Sequence, residues 1–130
     1  MKESEGVKKA MLRFYDRFTA GDVGSFDQLV SKQATNVIGT APHEWIDDRE
    51  TMRSQFGMEG VRLQAGDVRA WEEGSIGWLA DRPSFILPDG SAIETRLTAV
   101  TRHEDDEWRI VQSHFSIGIS DEQAAEEVHE

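Results

Sequence analysis

The sequence predicts an α+β fold in which an N-terminal helix and a shorter helical region cover a curved antiparallel sheet. Three observations lead there. Residues 4–20 carry an apolar stripe at helical period. Residues 77–118 are rich in the β-branched and aromatic residues of strands. Two turn signals, Pro88-Asp89-Gly90 and Glu104-Asp105-Asp106, divide that stretch into three runs. In the first turn Pro presets φ, Asp caps and Gly takes the positive-φ position.

Taken in order, the helix runs from Ser4 to Ala20, with Val7, Ala10, Met11, Phe14, Tyr15 and Phe18 on one face. Ser4 or Glu3 is its N-cap and Gly21 its C-terminal stop. Ser25–Ser31 reads as a short second helix with Phe26, Leu29 and Val30 inward, and NVIGT, residues 36–40, as a short strand broken by Pro42. Asp48 caps a third helix that runs to about Met58, with Met52, Gln55 and Phe56 on one side. Four long strands follow, Val61–Glu73, Ser75–Leu87, Ile93–His103 and Trp108–Ile119. Gly66 predicts a bulge or bend in the first of them. Residues 1–120 read as one domain, followed by an acidic tail, 121–130, whose helix Asp121 would cap.

The composition excludes several classes. A net charge of −11 repels phosphate backbones and anionic lipid, so neither nucleic acid nor membrane is an expected partner. No apolar stretch approaches a membrane span, and the first residues lack the apolar core of a signal peptide. The chain has no cysteine, which removes disulfides and thiolate metal sites and suits a cytoplasmic location. No HExxH pattern, GxSxG elbow or Gly-rich phosphate loop is present, so neither a metal nor another cofactor is expected.

The element order, with TAPHEW at residues 40–45 and WRIVQSHFS at 108–116, resembles the SnoaL-like branch of the nuclear transport factor 2-like superfamily. The ending is also similar to the association domain of calcium/calmodulin-dependent kinase, where a Trp opens the last strand and a His follows at the spacing of Trp108 and His114. The resemblance implies a sheet wrapped around a cone-shaped cavity, closed by the N-terminal helix, and dimers formed through the outer sheet face. The superfamily includes ketosteroid isomerase, polyketide cyclases, limonene epoxide hydrolase, scytalone dehydratase and non-catalytic assembly domains, so it selects no one reaction.

Strand register decides which residues reach such a cavity. A Pro88-Asp89-Gly90 loop pairs Leu87 with Ser91, which puts Leu79, Asp81 and Phe85 on the face of Ile93, Leu97 and Ala99. A plain two-residue turn at Asp105-Asp106 would set Leu97 beside His114. A bulged turn would set Leu97, Ala99 and Thr101 with Val111, Ser113 and Phe115. The bulged register is preferred because it gives one consistent apolar face. The opposite face then carries Trp78, Ala80, Arg82, Arg96, Thr98, Val100, Trp108, Ile110, Gln112 and His114, a mixture suited to a homodimer interface. In the other assignment, this richer face lines the cavity.

In the preferred register Asp81 is a lone carboxyl among apolar neighbours, the setting of a general acid or base. Tyr15, on the helix stripe, could donate to a ligand carbonyl. These two are the candidate catalytic residues, each with a structural alternative: Asp81 paired to Arg82 or Arg96, Tyr15 as a core residue. Phe14, Phe18, Trp45, Phe85, Leu97 and Phe115 are the candidate ligand-binding residues. Trp78, Arg96, Trp108 and His114 are candidate interface residues. His43 and Glu44 lie on a loop after a strand, where functional groups concentrate. Two readings follow. One is a small-molecule-binding protein with an apolar cavity, extending to a cofactor-free isomerase, dehydratase or cyclase. The other is a non-catalytic dimerisation or regulatory module.

Overall fold

The computed structural model of the protein describes residues 1–128; the last two residues of the expected acidic tail lie outside the described residues. The chain opens with a two-residue strand, β1 (Lys2–Glu3), which the sequence did not signal. Helix α1 (Glu5–Ala20) follows. Ser4 is its N-cap, with Oγ accepting from Val7 N at 3.1 Å, and Gly21 closes it in the left-handed region at φ 65°. A 3-10 turn (Val23–Ser25) leads into the single turn of α2 (Phe26–Leu29). Next come β2 (Asn36–Ile38), β3 (Trp45–Ile46) and α3 (Arg49–Ser54). Asp48 caps α3 as expected, its carboxylate accepting from Thr51 N at 2.9 Å, but the helix ends four residues earlier than expected.

Three of the four long strands are cut in two, and the last is continuous. The elements are β4 (Arg62–Gln64), β5 (Arg69–Glu73), β6 (Ile76–Asp81), β7 (Ser84–Ile86), β8 (Ala92–Glu94), β9 (Arg96–Glu104) and β10 (Glu107–Ser116), followed by α4 (Asp121–Val128). One sheet has the order β1-β5-β6-β9-β10-β2-β3 and a smaller one the order β4-β7-β8. The small sheet continues β5, β6 and β9 past breaks at residues 65–68, 82–83 and 95, so the meander is sharply bent rather than interrupted at random. Pro83 explains one break: it has no N–H for the ladder, and its carbonyl takes both the N–H and the hydroxyl of Thr95, at 3.0 and 2.8 Å. At the first break the four residues 65–68 oppose the three residues 81–83, which is the irregularity expected at Gly66. The sheet is not wholly antiparallel, since β2 runs parallel to β10.

Register followed the sequence closely on one side and corrected it on the other. Leu79 pairs with Ala99, Asp81 with Leu97 and Phe85 with Ile93, and Leu87 N bonds Ser91 O at 2.9 Å. Between β9 and β10, however, the turn is the plain two-residue one, with Glu104 opposite Glu107. Asp105 and Asp106 both adopt positive φ, 50° and 64°, as a type I′ turn demands. The extra residue is Val111, bulged between Ile110 and Gln112. Beyond it Ser113 and Phe115 meet Ala99 and Leu97, as expected, but before it the faces are exchanged. Ile110 and Trp108, expected on the outer face, therefore face α1. Ile110 is buried, and the Trp108 indole lies so close to Gly6 that a Cβ there would sit 2.8 Å from Nε1.

The core lies between α1 and the inner sheet face. Val7, Met11, Tyr15 and Phe18 of α1 pack with Leu79, Leu97, Ala99 and Ile110. Each fully buried large apolar side chain contributes on the order of 2 kcal/mol. At the C-terminus the cap of α4 is Ser120, not Asp121: Ser120 Oγ accepts from Gln123 N and Gln123 Oε1 accepts from Ser120 N, a capping box.

Candidate functional site

A cavity of about 440 Å³ opens at one end of the core. Its wall takes Phe14 and Phe18 from α1, Phe26 and Val30 from α2 and the residue after it, and Val37 and Ile46 from β2 and β3. Met52, Gln55, Phe56, Gly57 and Met58 come from α3 and its exit, and Phe85, Ile110, Ser113 and Phe115 from the sheet. The chain has six phenylalanines, and all six are in this wall. They form one connected aromatic series. Phe56 meets Phe14, Phe18 and Phe26 edge-on, with centroids 5.4, 5.6 and 5.9 Å apart. Phe18 meets Phe85 at 6.1 Å, and Phe85 meets Phe115 at 5.5 Å. These separations suit the edge-to-face arrangement that the ring quadrupole favours. Behind Phe26, the guanidinium groups of Arg49 and Arg53 stack on the ring at 4.8 and 4.9 Å, and both donate to Asp27. Those bonds, Arg49 first, hold the Asp27 carboxyl below its ordinary range.

Among the described residues, four polar side chains line the cavity: His43, Glu44, Gln55 and Ser113. His43 and Glu44 share the loop between β2 and β3. Three bonds shape that loop: Gly39 N to Glu44 O at 2.7 Å, Glu44 N to Ala41 O at 2.9 Å, and Ala41 N to Glu44 Oε1 at 3.0 Å. The Glu44 side chain thus folds back over Gly39, where a Cβ would lie 2.6 Å from Oε2; only glycine admits this approach. His43 is exposed and Glu44 half-buried, so the polar side of the cavity faces solvent.

The candidate residues from the sequence divide cleanly. Phe14, Phe18, Phe85 and Phe115 line the cavity. Leu97 does not: at 1% exposure it is a core residue beneath α1. Nor does Trp45, which is 65% exposed on the two-residue strand β3. Phe26, Phe56 and Met52 were legible as inward-facing positions, but nothing local showed that they border open space.

Tyr15 and Asp81 do meet. The Tyr15 hydroxyl donates to Asp81 Oδ2 at 2.7 Å, and both residues are buried. Asp81 also accepts from Gly66 N at 3.2 Å and from Arg82 N at 2.7 Å. Gly66 is required for this, because a Cβ there would lie 2.6 Å from Arg82 O and 2.8 Å from Asp81 Oδ1. Burial raises the Tyr15 phenol far above its ordinary value, and the hydrogen bond and charge of Asp81 raise it further. Neither residue is in the cavity wall. Asp81 instead forms part of a surface groove with Arg69, Arg82 and Arg96.

On the outer sheet face, Trp71, Trp78, Val100, Gln112 and His114 line a shallow groove of about 290 Å³. Trp78 and His114 are thus on the outer side, as expected, and Arg96, which alternates with Thr98 and Val100 along β9, shares that face, while Trp108 does not; Trp71, which pairs with Trp78, joins them. Among the described residues, no group of three or more His, Asp or Glu residues is placed to hold a metal ion. No described helix is long and apolar enough to cross a membrane.

A bent sheet under a long helix, with an apolar cavity at one end, defines the cystatin-like architecture of nuclear transport factor 2-like proteins. A sequence model of the SnoaL-like domain matches residues 7–120, and the chain belongs to that family. Among solved structures it resembles a nuclear transport factor 2-like protein of unknown function from Pseudomonas putida KT2440, with TM-score 0.76, 9% identity and coverage of 90% of this chain and 87% of that one. It also resembles a nuclear transport factor 2-like protein with a cystatin-like fold from Novosphingobium aromaticivorans, with TM-score 0.74, 13% identity and coverage of 93% and 86%. A proposed dehydratase of the nuclear transport factor 2-like family from Streptomyces avermitilis gives TM-score 0.74 at 16% identity, covering 89% of this chain and 96% of that one. At such identities the likeness concerns the fold. No curated protein matches the sequence.

Proposed function

We propose that the protein binds a small, largely apolar molecule in the phenylalanine-lined cavity. The observation that carries this reading is the convergence of all six phenylalanines on one space of about 440 Å³. Ligand pockets run from about 300 to 1,000 Å³, with apolar walls and a few polar groups that fix orientation. Here those groups are His43, Glu44, Gln55 and Ser113. The family and its dehydratase-type relative are compatible with either binding or proton-transfer chemistry on a bound ligand. In this reading His43 and Glu44 are the titratable groups a bound ligand would meet, and the Tyr15–Asp81 pair is a tether between α1 and the sheet.

The test uses N-phenyl-1-naphthylamine, a neutral fluorescent probe, on the full chain. Saturable binding at one site per chain is expected, with a rise in probe fluorescence. Val37→Trp, which fills the cavity from strand β2, should abolish it. Absence of binding, or binding that Val37→Trp leaves unchanged, would overturn the reading.

A second reading concerns assembly. Trp71, Trp78 and Val100 lie side by side on the outer sheet face, each half-buried in the single chain. Large aromatics on such a face favour cover by a partner. We propose a homodimer through this face, with Trp78, Arg96 and His114 in or beside it. Light scattering at micromolar concentration should give twice the chain mass, and Trp78→Lys should give one chain mass. A wild-type monomer would sink this idea and leave the cavity reading untouched.

A further inference from the structure

From the cavity's charge pattern we infer that its ligand is cationic: a small amine whose apolar body sits among the phenylalanines and whose ammonium lies beside Glu44. The inference rests on the binding reading above and narrows it to a ligand class. Glu44 and His43 are the titratable side chains in the wall among the described residues, and no Lys or Arg lines it. One Glu44 oxygen, Oε1, is engaged by Ala41 N, while Oε2 lies over Gly39 with no hydrogen bond from the protein among the described residues. A carboxylate oxygen on the cavity wall, half-shielded from water, favours a donor that carries charge. The ring faces favour the same sign, because the aromatic quadrupole is negative above the ring and attracts ammonium groups. Phe26 already uses this attraction, taking the Arg49 and Arg53 guanidinium groups. Those two cations lie outside the cavity wall, where they share the Asp27 carboxylate. Finally, the whole chain carries a net charge of −11, a field that concentrates cations and repels carboxylate ligands.

Three probes with one naphthalene body separate the contributions: 1-naphthylmethylammonium, 1-naphthalenemethanol and 1-naphthoate, each titrated against the full chain by calorimetry at low salt. The ammonium should bind about fivefold more tightly than the alcohol, the scale of a partly exposed ion pair, and the carboxylate most weakly. Glu44→Gln keeps the acceptor for Ala41 N, and so the loop, but removes the charge; the ammonium-to-alcohol ratio should fall to near one. A carboxylate that binds as tightly as the ammonium, or a ratio unchanged in Glu44→Gln, would overturn the inference while the cavity remained a binding site. Failure of all three probes and of N-phenyl-1-naphthylamine would remove the binding reading itself, and this inference with it.

Discussion

The Tyr15 hydroxyl, about two-thirds of the way along α1, donates a 2.7 Å hydrogen bond to the Asp81 carboxylate at the end of β6. The bond spans 66 residues of chain and is buried. It fixes the helix on the sheet where the sheet bends, because the same carboxylate accepts the N–H of Gly66 on the neighbouring strand connection.

Tyr15 is the single tyrosine of the chain, so its ionisation can be followed in ultraviolet absorbance without overlap from another phenol. Its folded pKa is raised above the ordinary value of 10, by burial first and by Asp81 second. The folded state therefore keeps a proton that the unfolded state releases. Stability from this group is full below pH 10 and is lost as pH climbs beyond it. Tyrosinate absorbance should appear only with unfolding, and the melting temperature should drop more steeply above pH 10 in the wild type than in Tyr15→Phe. A smooth tyrosinate titration near pH 10 in the folded protein would contradict the geometry.

Removing the donor and removing the acceptor should differ in cost. Tyr15→Phe leaves Asp81 with its two backbone donors and should destabilise by about 1–2 kcal/mol. Asp81→Ala strands the buried phenol and frees both N–H groups, so urea unfolding should show a loss of about 2–4 kcal/mol. Because neither residue is in the cavity wall, probe binding to folded Tyr15→Phe should match the wild type. Equal losses of stability in the two variants would show that the carboxylate's other bonds are without weight.

Gly66→Ala should be costly although Gly66 itself is exposed. Its Cβ would meet the Arg82 carbonyl at 2.6 Å and the Asp81 carboxylate at 2.8 Å, and the first of these is backbone that cannot swing away. The connection must shift, at about 1–3 kcal/mol, and the Tyr15–Asp81 bond should loosen with it. A melting temperature within a degree of wild type would mean that the connection is free to move.

The β9–β10 turn offers a gain. Asp106 holds φ 64°, where a side chain costs roughly 1 kcal/mol and glycine nothing. Asp106→Gly completes the Asp-Gly pair favoured in type I′ hairpins and should stabilise by about 0.5–1 kcal/mol. Denaturant midpoints read this directly, and a loss of stability would count against the turn type.

Several features were decided by residues close together in the chain. The helix from Ser4 to Gly21 follows from its apolar period and its two caps, and the Pro88-Asp89-Gly90 loop was enough to pair Leu87 with Ser91 and so align β6, β7, β8 and β9. Gly66 marked one of the points where the sheet bends, whereas the break at Pro83 fell inside a run read as one strand, Ser75–Leu87. Three features waited for the tertiary structure. Val111 bulges inside β10 rather than at the turn, and because strand side chains alternate, that one-residue difference moved Trp108 and Ile110 from the outer face to the inner one. Tyr15 and Asp81 were each legible as buried polar residues, but their contact depends on how α1 lies across the bent sheet. The cavity is the plainest case. Each phenylalanine, from Phe14 to Phe115, sits on a locally recognisable apolar position. Whether such positions close into solid core, as at Leu97, or surround open space, as at Phe56, is set by distances between elements far apart in sequence, and no local pattern encodes them.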